Sequence, residues 1–435
     1  MPKIKEVAEK FEEYKKCLKN RGLENLIPKI EEGVKKYYEL KNYSLKLQKL
    51  REKLNKLSIE YKETKKEEII EESKKIKSEI KELEERVKSL QDEIKKVELI
   101  LPNWILSDVP IGIGDEYEKP IKYVGKPKVW IEYKENFEKM YKTEYELISY
   151  EPFHHYNLVG KYIDQEIAGK VSGSRFYYLF DELVLLDFAI SLYAIDFFKN
   201  KGYSKLMITP YLLRKDIEEK ITYFEAFEET IFEVEKENLI LIPTSEHSIL
   251  AYYENKIFDS KELPLRILAW TPCFRKEAGA HGKDTKGIFR VKQFHKVELH
   301  TILKDKDLEE VYKMMEDVQD FLISLGLPNR AVIVPSGDMD KRALLQIDVQ
   351  TWFPAEGKYR ETHSIATMGT WVSEKLKIRY REENKNFLVK NVYCTGVAVE
   401  RLICAIVENH YNAEKKAIEI PKPLQKYVGI EEIKV

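Results

Sequence analysis

Residues 273–300 read "CFRKEAGAHGKDTKGIFRVKQFHKVELH", with cations and carboxylates on both sides of a glycine-rich centre. The stretch "LRILAWTPCFRKE" at 265–277 and the stretch "IFRVKQFHKVELH" at 288–300 are rich in β-branched and aromatic residues, which favour strands. The intervening "AGAHGKDTKG" contains three glycines and favours a loop. The segment therefore predicts an antiparallel β-hairpin.

The charged residues of this hairpin share faces if both strands keep their alternation. Arg290, Phe294 and Glu298 are spaced by four residues and fall on one face, while Arg275 and Glu277 share a face of the partner strand. Arginine forks match phosphate oxygens, an aromatic ring accepts a base, and a carboxylate can hold an ammonium group. The set suits a nucleotide, and a solvent-facing hairpin with cross-strand ion pairs fits the same residues equally well.

The segment "LIPTSEHSIL" at 241–250 offers a hydroxyl and a carboxylate close together. Thr244 and Glu246 lie two residues apart and are predicted to share one strand face. A carboxylate in that place would suit an α-amino group.

The segment "CTGVAVERLICAIVEN" at 394–409 combines a strongly apolar run with one arginine. Thr395 and Gly396 are predicted to open an apolar helix, with Arg401 just over one turn inside it. From there Arg401 could reach an anion near the helix start. A buried structural ion pair is the alternative interpretation of this arginine.

Two stretches upstream of residue 100 have apolar residues at alternating spacings of three and four, as in helices that pack along a seam. The first contains Leu40, Tyr43, Leu47, Leu50, Leu54, Leu57 and Tyr61, and the second contains Ile76, Ile80, Leu83, Val87, Leu90, Ile94 and Val97. The polar stretch "KETKKEE" at 62–68 separates them and suits a reversal. We predict two antiparallel helices over 33–98, with short helices in 1–30. From periodicity alone, a coiled coil that joins two protomers is favoured over an RNA-binding arm.

The composition limits the possible classes of protein. Of 435 residues, 43% are hydrophobic, and 74 Lys and Arg balance 75 Asp and Glu, so net charge does not steer an anionic partner. No apolar run suits a signal peptide or a membrane span, and a cytoplasmic protein without membrane association is expected. The four scattered cysteines suggest neither disulfides nor zinc.

Residues 183–213 predict a helix, a turn at Gly202 and a strand that runs into Pro210. The apolar stripe of this helix is broad enough to cover both a sheet and a second subunit.

In this order along the chain, the segments resemble the seryl-tRNA synthetases, a family of class II aminoacyl-tRNA synthetases. The resemblance covers nearly the whole chain, including the N-terminal helical hairpin. The stretches that carry it are "LPNWILSDVPIG" (101–112), "GKVSGSRFYYLFDELVLLDFAI" (169–190), "KGYSKLMITP" of the first class motif (201–210), "TSE" (244–246), the second class motif from Phe274 to Glu298, "GDMDKRALLQIDVQTWFPAEGKYRE" (337–361) and "GVAVER" of the third class motif (396–401).

The resemblance implies an α+β fold in two domains. Residues 1–100 would form a tRNA-binding helical domain with a coiled-coil arm over 33–98, and residues 101–435 would form a catalytic domain, an antiparallel β-sheet flanked by helices. It implies a homodimer with the first class motif at the two-fold interface. The implied reaction activates L-serine with ATP and Mg2+ to seryl-adenylate and loads it onto the 3′ end of serine tRNA, which the arm would bind through backbone and shape.

Positions that match the family motifs imply roles for individual residues. Arg275 would hold the α-phosphate of ATP and the serine carboxylate, Arg290 and Arg401 the outer phosphates, Glu277 the adenine side and Phe294 the adenine ring. The residues expected to act in catalysis are Arg275, Arg290 and Arg401. Those expected to bind ATP are Arg275, Glu277, Arg290, Val291, Phe294, Glu361, Ser364 and Arg401, with Glu361 and Ser364 also as Mg2+ ligands. Those expected around serine are Thr244, Glu246, Arg275, Glu298 and Thr395.

The sequence departs from the family pattern near the implied site. Thr367 stands in place of an asparagine, Glu374-Lys375 in place of an arginine pair, Tyr393-Cys394 in place of Asn-Gly, and Gln350 in place of a glutamate. Two alternatives therefore stay open beside a serine ligase. One is a paralogue that activates serine or another small amino acid for a carrier other than tRNA, and the other is a non-catalytic tRNA-binding dimer.

Overall fold

The structure is a computed structural model that describes residues 2–222, 230–277, 284 and 286–435. Most of the glycine-rich stretch predicted as a loop, namely 278–283 and 285, lies outside the described residues. The chain divides into two compact units, Met1–Trp104 and Ile105–Val435. Among the described helices, none has both the length and the apolar character needed to cross a bilayer.

The helices and strands follow one another in an α+β arrangement. The helices are α1 (Ile4–Glu9), α2 (Phe11–Asn20), α3 (Ile27–Thr64), α4 (Glu67–Leu99), α5 (Lys134–Met140), α6 (His155–Leu158), α7 (Glu166–Val171), α8 (Asp181–Asn200), α9 (Lys215–Ile221), α10 (Ser245–Tyr252), α11 (Asp307–Ser324), α12 (Trp371–Leu376), α13 (Val399–Asn409) and α14 (Lys422–Val428). The strands are β1 (Lys119–Val124), β2 (Lys128–Trp130), β3 (Glu146–Ile148), β4 (Ile163–Asp164), β5 (Tyr178–Leu179), β6 (Lys205–Met207), β7 (Leu212–Arg214), β8 (Glu233–Val234), β9 (Leu239–Leu241), β10 (Ile257–Asp259), β11 (Leu265–Phe274), β12 (Gln293–Leu303), β13 (Asn329–Ile333), β14 (Leu345–Phe353), β15 (Lys358–Gly369), β16 (Arg379–Glu382), β17 (Lys385–Leu388), β18 (Lys390–Ala398), β19 (Tyr411–Asn412), β20 (Ala417–Glu419) and β21 (Glu432–Lys434).

The N-terminal unit is built on the long antiparallel helices α3 and α4, as the seams predicted. These have 38 and 33 residues, so a rise of about 1.5 Å per residue makes each roughly 50 Å long. The chain reverses at Lys65, whose φ of 53° is left-handed. Tyr61 differs from the prediction, because it lies in the last turn of α3 and is 37% exposed.

The seam of this helical hairpin is apolar inside and ionic outside. Leu57, Ile69 and Ile76 form a buried cluster near the reversal. Nearer the other end, a Cβ on Gly33 would lie only 2.7 Å from Val97, so the helices approach too closely there for a side chain. Exposed ion pairs bridge the helices at Lys46–Glu79, Arg51–Glu84 and Lys53–Glu72. Such pairs add at most about 1 kcal/mol each, so burial of the seam stabilises the hairpin and the ion pairs favour its register.

The C-terminal unit is organised around an eight-stranded sheet with the order β1-β13-β14-β15-β18-β12-β11-β6. All neighbours are antiparallel except the edge pair β11 and β6. The helices α8, α11 and α13 pack against it around one hydrophobic core. The antiparallel sheet with flanking helices confirms the predicted fold class.

The hairpin predicted over 265–300 forms β11 and β12, but its strands are shorter than predicted. Regular pairing ends at Phe274 and Gln293, so Arg275, Glu277 and Arg290 lie beyond the strand ends. Glu277 has a left-handed φ of 54°, which strand geometry does not allow. One further hydrogen bond, from Arg275 N to Lys292 O at 2.9 Å, continues the ladder past the last pair.

Helix α8 and strand β6 confirm the helix and the strand predicted within 183–213, but β6 ends at Met207 and does not run into Pro210. One side of α8 is fully buried, for example at Leu186 and Ile190, whereas Leu185, Phe188 and Leu192 are between 45% and 54% exposed. The helix therefore has a second apolar face that the described part of this unit does not cover.

Candidate active site

One cavity of about 220 Å3 brings together residues that are far apart in the sequence. Of the residues predicted to bind ATP, serine or Mg2+, all but Glu298 line it. The full set of lining residues predicted from the sequence is Thr244, Glu246, Arg275, Glu277, Arg290, Val291, Phe294, Glu361, Ser364, Thr395 and Arg401. Glu298 is completely buried and contacts Thr244, so it lies one layer behind the wall.

The ends of β11 and β12 supply the central guanidinium and the aromatic ring. The Arg275 guanidinium lies 5.3 Å from the centre of the Phe294 ring, within cation–π range. Its Nε donates to the carbonyl of Pro243 at 3.2 Å, which fixes the direction of the side chain. A flat ring and a planar cation therefore border the cavity side by side.

Arg290 is held by carboxylates across the hairpin. Its Nη1 donates to Glu277 Oε2 at 2.8 Å, and its Nε lies 3.7 Å from Asp284 Oδ2. The cross-strand ion pair considered for this hairpin is thus present, and the same arginine also lines the cavity. The two interpretations of the hairpin are compatible.

Arg401 reaches the cavity from the first turn of α13. The prediction that Thr395 and Gly396 open this helix is wrong, because both belong to β18, which pairs with β12 and β15, and α13 begins at Val399. Arg401 Nη1 donates to the carbonyl of Glu361 at 2.8 Å and lies 3.3 Å from its Oε1.

Glu361 and Ser364 stand beside a further acidic residue, Asp348, on the neighbouring strand. Asp348 pairs in register with Ser364, and burial together with the nearby charge of Glu361 raises the pKa of Asp348 well above its usual range. Two carboxylates and a hydroxyl form an all-oxygen donor set, the kind that Mg2+ prefers. The residues present therefore fit a Mg2+ ion.

The serine-side residues Thr244 and Glu246 are on a helix, which corrects the predicted strand. Thr244 is the N-cap of α10, and its Oγ1 accepts from the backbone N–H of Glu246 at 3.2 Å. Threonine favours this position because its hydroxyl satisfies an amide that the helix leaves unpaired. The "TSE" stretch thus has a helix-start pattern, which the sequence argument did not use.

Lys296 is a cavity residue that the sequence argument missed. Its ammonium group contacts Glu298 and donates to Thr244 Oγ1 at 2.6 Å, and all three side chains are buried. Burial raises the pKa of Glu298, and the ammonium of Lys296 offsets only part of this effect. The alternation Phe294, Lys296, Glu298 on one strand face was the available signal.

Arg342, Asp340 and Tyr393 also line the cavity, next to Glu246. Arg342 Nη1 donates to Glu246 Oε1 at 2.9 Å, and its Nε and Nη2 donate to Asp340. The Tyr393 hydroxyl donates to Asp340 Oδ2 at 3.0 Å. Only Tyr393 had been singled out, as a departure from the family pattern, and its hydroxyl is bound to a residue of the wall.

The other departures lie outside the cavity wall. Thr367 donates to Asp307 Oδ2 at 2.7 Å, and Lys375 lies 3.6 Å from the centre of the Trp371 ring. Burial and the nearby guanidinium of Arg342 lower the pKa of Lys375 to about 7. Glu374 lies beside Lys375 on α12.

At Gln350, the carboxylate of Glu118, the residue directly before β1, takes the expected place. Gln350 Nε2 donates to Glu118 Oε1 at 2.6 Å, and Arg330 donates to both Gln350 and Glu118 at 2.7 Å. Burial raises the pKa of Glu118 although Arg330 acts against this shift.

A buried polar group reaches the cavity wall through Glu400. His295 Nδ1 lies 2.9 Å from Asp187 Oδ2, the His295 backbone N–H donates to both oxygens of Glu400, and Tyr177 donates to Glu400 as well. The ligand atoms of Asp187, His295 and Glu400 lie within 4.8 Å of one another, close enough to consider a metal. Hydrogen bonds already link these side chains, so we interpret the group as a structural tie between α8, β12 and α13.

Two family models match the chain. The model described as "Seryl-tRNA synthetase N-terminal domain" matches residues 1–105, and the "tRNA synthetase class II core domain (G, H, P, S and T)" matches residues 229–410. Two similar curated proteins are serine–tRNA ligases from Thermococcus gammatolerans, 39% identical, and from Pyrococcus abyssi, 40% identical. Each alignment covers 99% of this chain and 97% of the relative.

Solved structures agree with these sequence matches. The seryl-tRNA synthetase of Pyrococcus horikoshii, crystallised with ATP, superposes with a TM-score of 0.94 at 37% identity and covers 100% of this chain and 99% of its own. The cytoplasmic serine–tRNA ligase of Naegleria fowleri, in complex with AMP, gives a TM-score of 0.84 at 29% identity, covering 97% of this chain and 95% of its own. The chain described here therefore belongs to the seryl-tRNA synthetase family.

Proposed function

We propose that this protein is a serine–tRNA ligase, which activates L-serine with ATP to seryl-adenylate and transfers the seryl group to the 3′ end of serine tRNA. The observation that carries the proposal is one cavity that combines Arg275, Arg290 and Arg401 and the ring of Phe294 with hydroxyl and carboxylate side chains. The arginines suit a triphosphate, and the carboxylates of the cavity suit the ammonium group of an amino acid. Membership of the family supports the same reaction.

The first half-reaction is an in-line displacement at the α-phosphorus of ATP. A carboxylate oxygen of serine forms a bond to phosphorus, the bond to the bridging oxygen breaks, and pyrophosphate leaves with that electron pair. Both reactants are anionic, so repulsion and positioning make up much of the barrier. Arg275 is proposed to hold the serine carboxylate and the α-phosphate together, with Arg290 and Arg401 on the outer phosphates. Cations fixed in advance by a sheet and a helix stabilise the developing charge without reorganisation.

The adenosine part of ATP is proposed to lie against the strand end of the cavity. Phe294 would stack on the adenine ring, with Glu277 and Val291 at its edge. Mg2+, when bound, neutralises phosphate charge. Glu361 and Ser364 are proposed as its ligands, and Asp348 is a third oxygen donor at that place.

Serine recognition is proposed for the helix-cap end of the cavity. Glu246 would receive the α-ammonium group, while Thr244 and Thr395 would contact the serine side chain and Glu298 would act on it from behind Thr244. A pocket that hydrogen-bonds a hydroxyl disfavours alanine strongly, since alanine leaves buried polar groups unpaired.

In the second half-reaction, a ribose hydroxyl at the 3′ end of the tRNA attacks the carbonyl carbon of the adenylate. A new ester bond forms, the mixed anhydride bond breaks, AMP leaves with the electron pair, and the proton of the hydroxyl is released. We propose residues 1–100 as the tRNA-binding domain and 101–435 as the catalytic domain, with the arm over 33–98 reading tRNA shape and backbone.

A homodimer completes the proposal. Leu185, Phe188 and Leu192 of α8 are exposed, and so is Leu206 of the edge strand β6, which follows α8 in the chain. Exposed apolar side chains and a sheet edge are features that a second copy of the chain would cover in an isologous interface.

The reaction can be tested by amino-acid-dependent ATP/pyrophosphate exchange over a panel of amino acids. Serine is expected to drive exchange, and Arg275→Ala to abolish it. Exchange driven equally well by alanine or glycine would exclude serine as the substrate, and exchange without transfer to tRNA would favour a different carrier.

A further inference from the structure

We propose that Arg342 is a positioning residue for the amino acid: anchored by Asp340 and Tyr393, it fixes the carboxylate of Glu246 in the orientation that receives the α-ammonium group of serine. The inference rests on the proposed function and identifies the residues that support the serine-binding end of the cavity. It concerns a part of the chain that departs from the family pattern at Tyr393.

The contacts of the Arg342 side chain fix its orientation. Its side chain is 4% exposed. Nη1 donates to Glu246 Oε1 at 2.9 Å and to the carbonyl of Ile221 at 3.2 Å. Nε lies 3.1 Å from both oxygens of Asp340, and Nη2 lies 2.6 Å from Asp340 Oδ2. The planar fork therefore joins two carboxylates at fixed angles, which a lysine cannot do.

Asp340 and Tyr393 form the anchor of this arrangement. Asp340 also accepts the backbone N–H of Arg342 at 2.9 Å and the Tyr393 hydroxyl at 3.0 Å. The Arg342 guanidinium lies 5.7 Å from the centre of the Tyr393 ring. Tyr393 lies two residues before Thr395 on β18, so both side chains are on the same face of the sheet. The residue that replaces asparagine of the family pattern thus supports the guanidinium.

The charges around Glu246 explain why its carboxylate needs Arg342 to stay ionised. Burial is the largest effect and would raise the pKa of Glu246, but the guanidinium of Arg342, with smaller contributions from His247 and His300, lowers it against both burial and the nearby carboxylate of Asp340. Of the two histidines, His247 is paired with Glu218 at 2.9 Å, and His300 contacts Asn391. A buried carboxylate without such a cation would favour its neutral form, which attracts an ammonium group far less strongly.

The geometry also leaves an acceptor for a ligand. The hydrogen bond from Arg342 occupies Oε1 of Glu246, and within the ranges that the structure describes no hydrogen bond to Oε2 is found. Glu246, Asp340, Arg342 and Tyr393 all line the cavity. Arg342 therefore acts on the amino acid through Glu246 rather than by direct contact.

The experiment separates positioning of the ammonium site from general support of the fold. ATP/pyrophosphate exchange is measured for the wild type, Arg342→Met and Arg342→Lys, with KM for serine and for ATP and the inhibition constant of L-glycerate. L-glycerate carries a hydroxyl where serine carries its ammonium group, so it reports the rest of the pocket. Arg342→Met is expected to raise the KM for serine at least tenfold, while the KM for ATP and the inhibition constant of L-glycerate change less than threefold.

The conservative variant and a matched control complete the test. Arg342→Lys keeps the charge without the fork, and its serine-to-glycerate preference is expected to lie between those of the wild type and Arg342→Met. Arg330→Met removes another buried, ion-paired arginine that does not line the cavity, and it is expected to lower thermal stability without changing that preference.

Two results would overturn the inference. One is an equal rise of the serine KM and the glycerate inhibition constant, and the other is a serine-to-glycerate preference within twofold of wild type. If Arg342→Met does not fold, Arg342→Lys decides by the same criterion. A wild type without serine-dependent exchange refutes the proposed function instead, so the two failures are distinguishable.

Discussion

Replacement of Gly287 by alanine is expected to disrupt the segment 286–292, which leads from the hairpin loop back to the cavity. Gly287 has a φ of +70°, and a Cβ there would lie 2.0 Å from Nε2 of His155. The side-chain amide of Gln165 holds both backbone groups of Gly287, at 2.8 and 2.9 Å, and Ile288 N–H donates to His155 at 3.3 Å. The backbone must move if it is to accept a methyl group, and these three hydrogen bonds would then break.

The expected magnitude follows from these contacts. Left-handed backbone costs alanine about 1 to 2 kcal/mol, and each hydrogen bond lost contributes about 1 kcal/mol. The sum is roughly 4 kcal/mol in the free energy of unfolding, or roughly 10 °C in Tm. Because Arg290 and Val291 follow Gly287 in this segment, the KM for ATP is expected to rise more than the KM for serine.

The matched control is Gly202→Ala. Gly202 also has a left-handed φ, +98°, but apart from its chain neighbours no atom of the residues that the structure describes lies within 4 Å of its Cβ position, so only the backbone cost of about 1 to 2 kcal/mol is expected. Thermal or urea unfolding of both variants measures the difference. In a double-mutant cycle, His155→Ala removes the clash. The double variant should therefore lose less free energy of unfolding than the two single variants lose in sum. Equal losses for Gly287→Ala and Gly202→Ala would refute the reasoning.

Three further predictions concern the arm, a buried lysine and the exposed helix face. Deletion of residues 35–97 is expected to leave serine-dependent exchange nearly intact and to abolish tRNA charging, and equal loss of both would mean that the arm is needed for the catalytic fold. The pKa of Lys375 is lowered to about 7 in the folded chain. Between pH 7 and its ordinary pKa near 10.4, the unfolded chain therefore binds more protons, and the free energy of unfolding is expected to rise with pH in urea titrations. Lys375→Met should flatten that rise, while the exposed Lys377→Met should not. Phe188→Glu is expected to convert dimers into monomers in sedimentation experiments, and dimers that persist would place the interface elsewhere.

Much of the fold could be predicted because its signals are local. The spacing of apolar residues in α3 and α4 repeats over many turns, and one left-handed residue, Lys65, reverses the chain where the polar stretch lies. The strands β11 and β12 were predicted as a pair for the same reason. Their ends were not, since the left-handed Glu277 interrupts the alternation. Local patterns fix the elements and leave their ends to tertiary contacts.

The site was predicted less completely, and the errors have physical causes. Thr244 was assigned to a strand because alternation was considered and capping was not, although threonine before a helix satisfies a free amide. Thr395 was assigned to a helix because the apolar run continues from β18 into α13 without a polar break. Arg342 was missed altogether, since its partner Glu246 lies 96 residues away and no periodicity links them.

The position of Glu118 has a consequence for how sequences of this family can vary. The acidic group that the family pattern places on β14 is supplied here by a residue 232 positions earlier in the chain, and Gln350 binds it as a neutral ligand. In this chain the negative charge beside Arg330 is carried by Glu118, which is distant from position 350 in the sequence and hydrogen-bonded to it in space. Glutamate at 350 would put two acids against one guanidinium, so we expect that substitution to be tolerated better when Glu118 is neutralised in the same molecule.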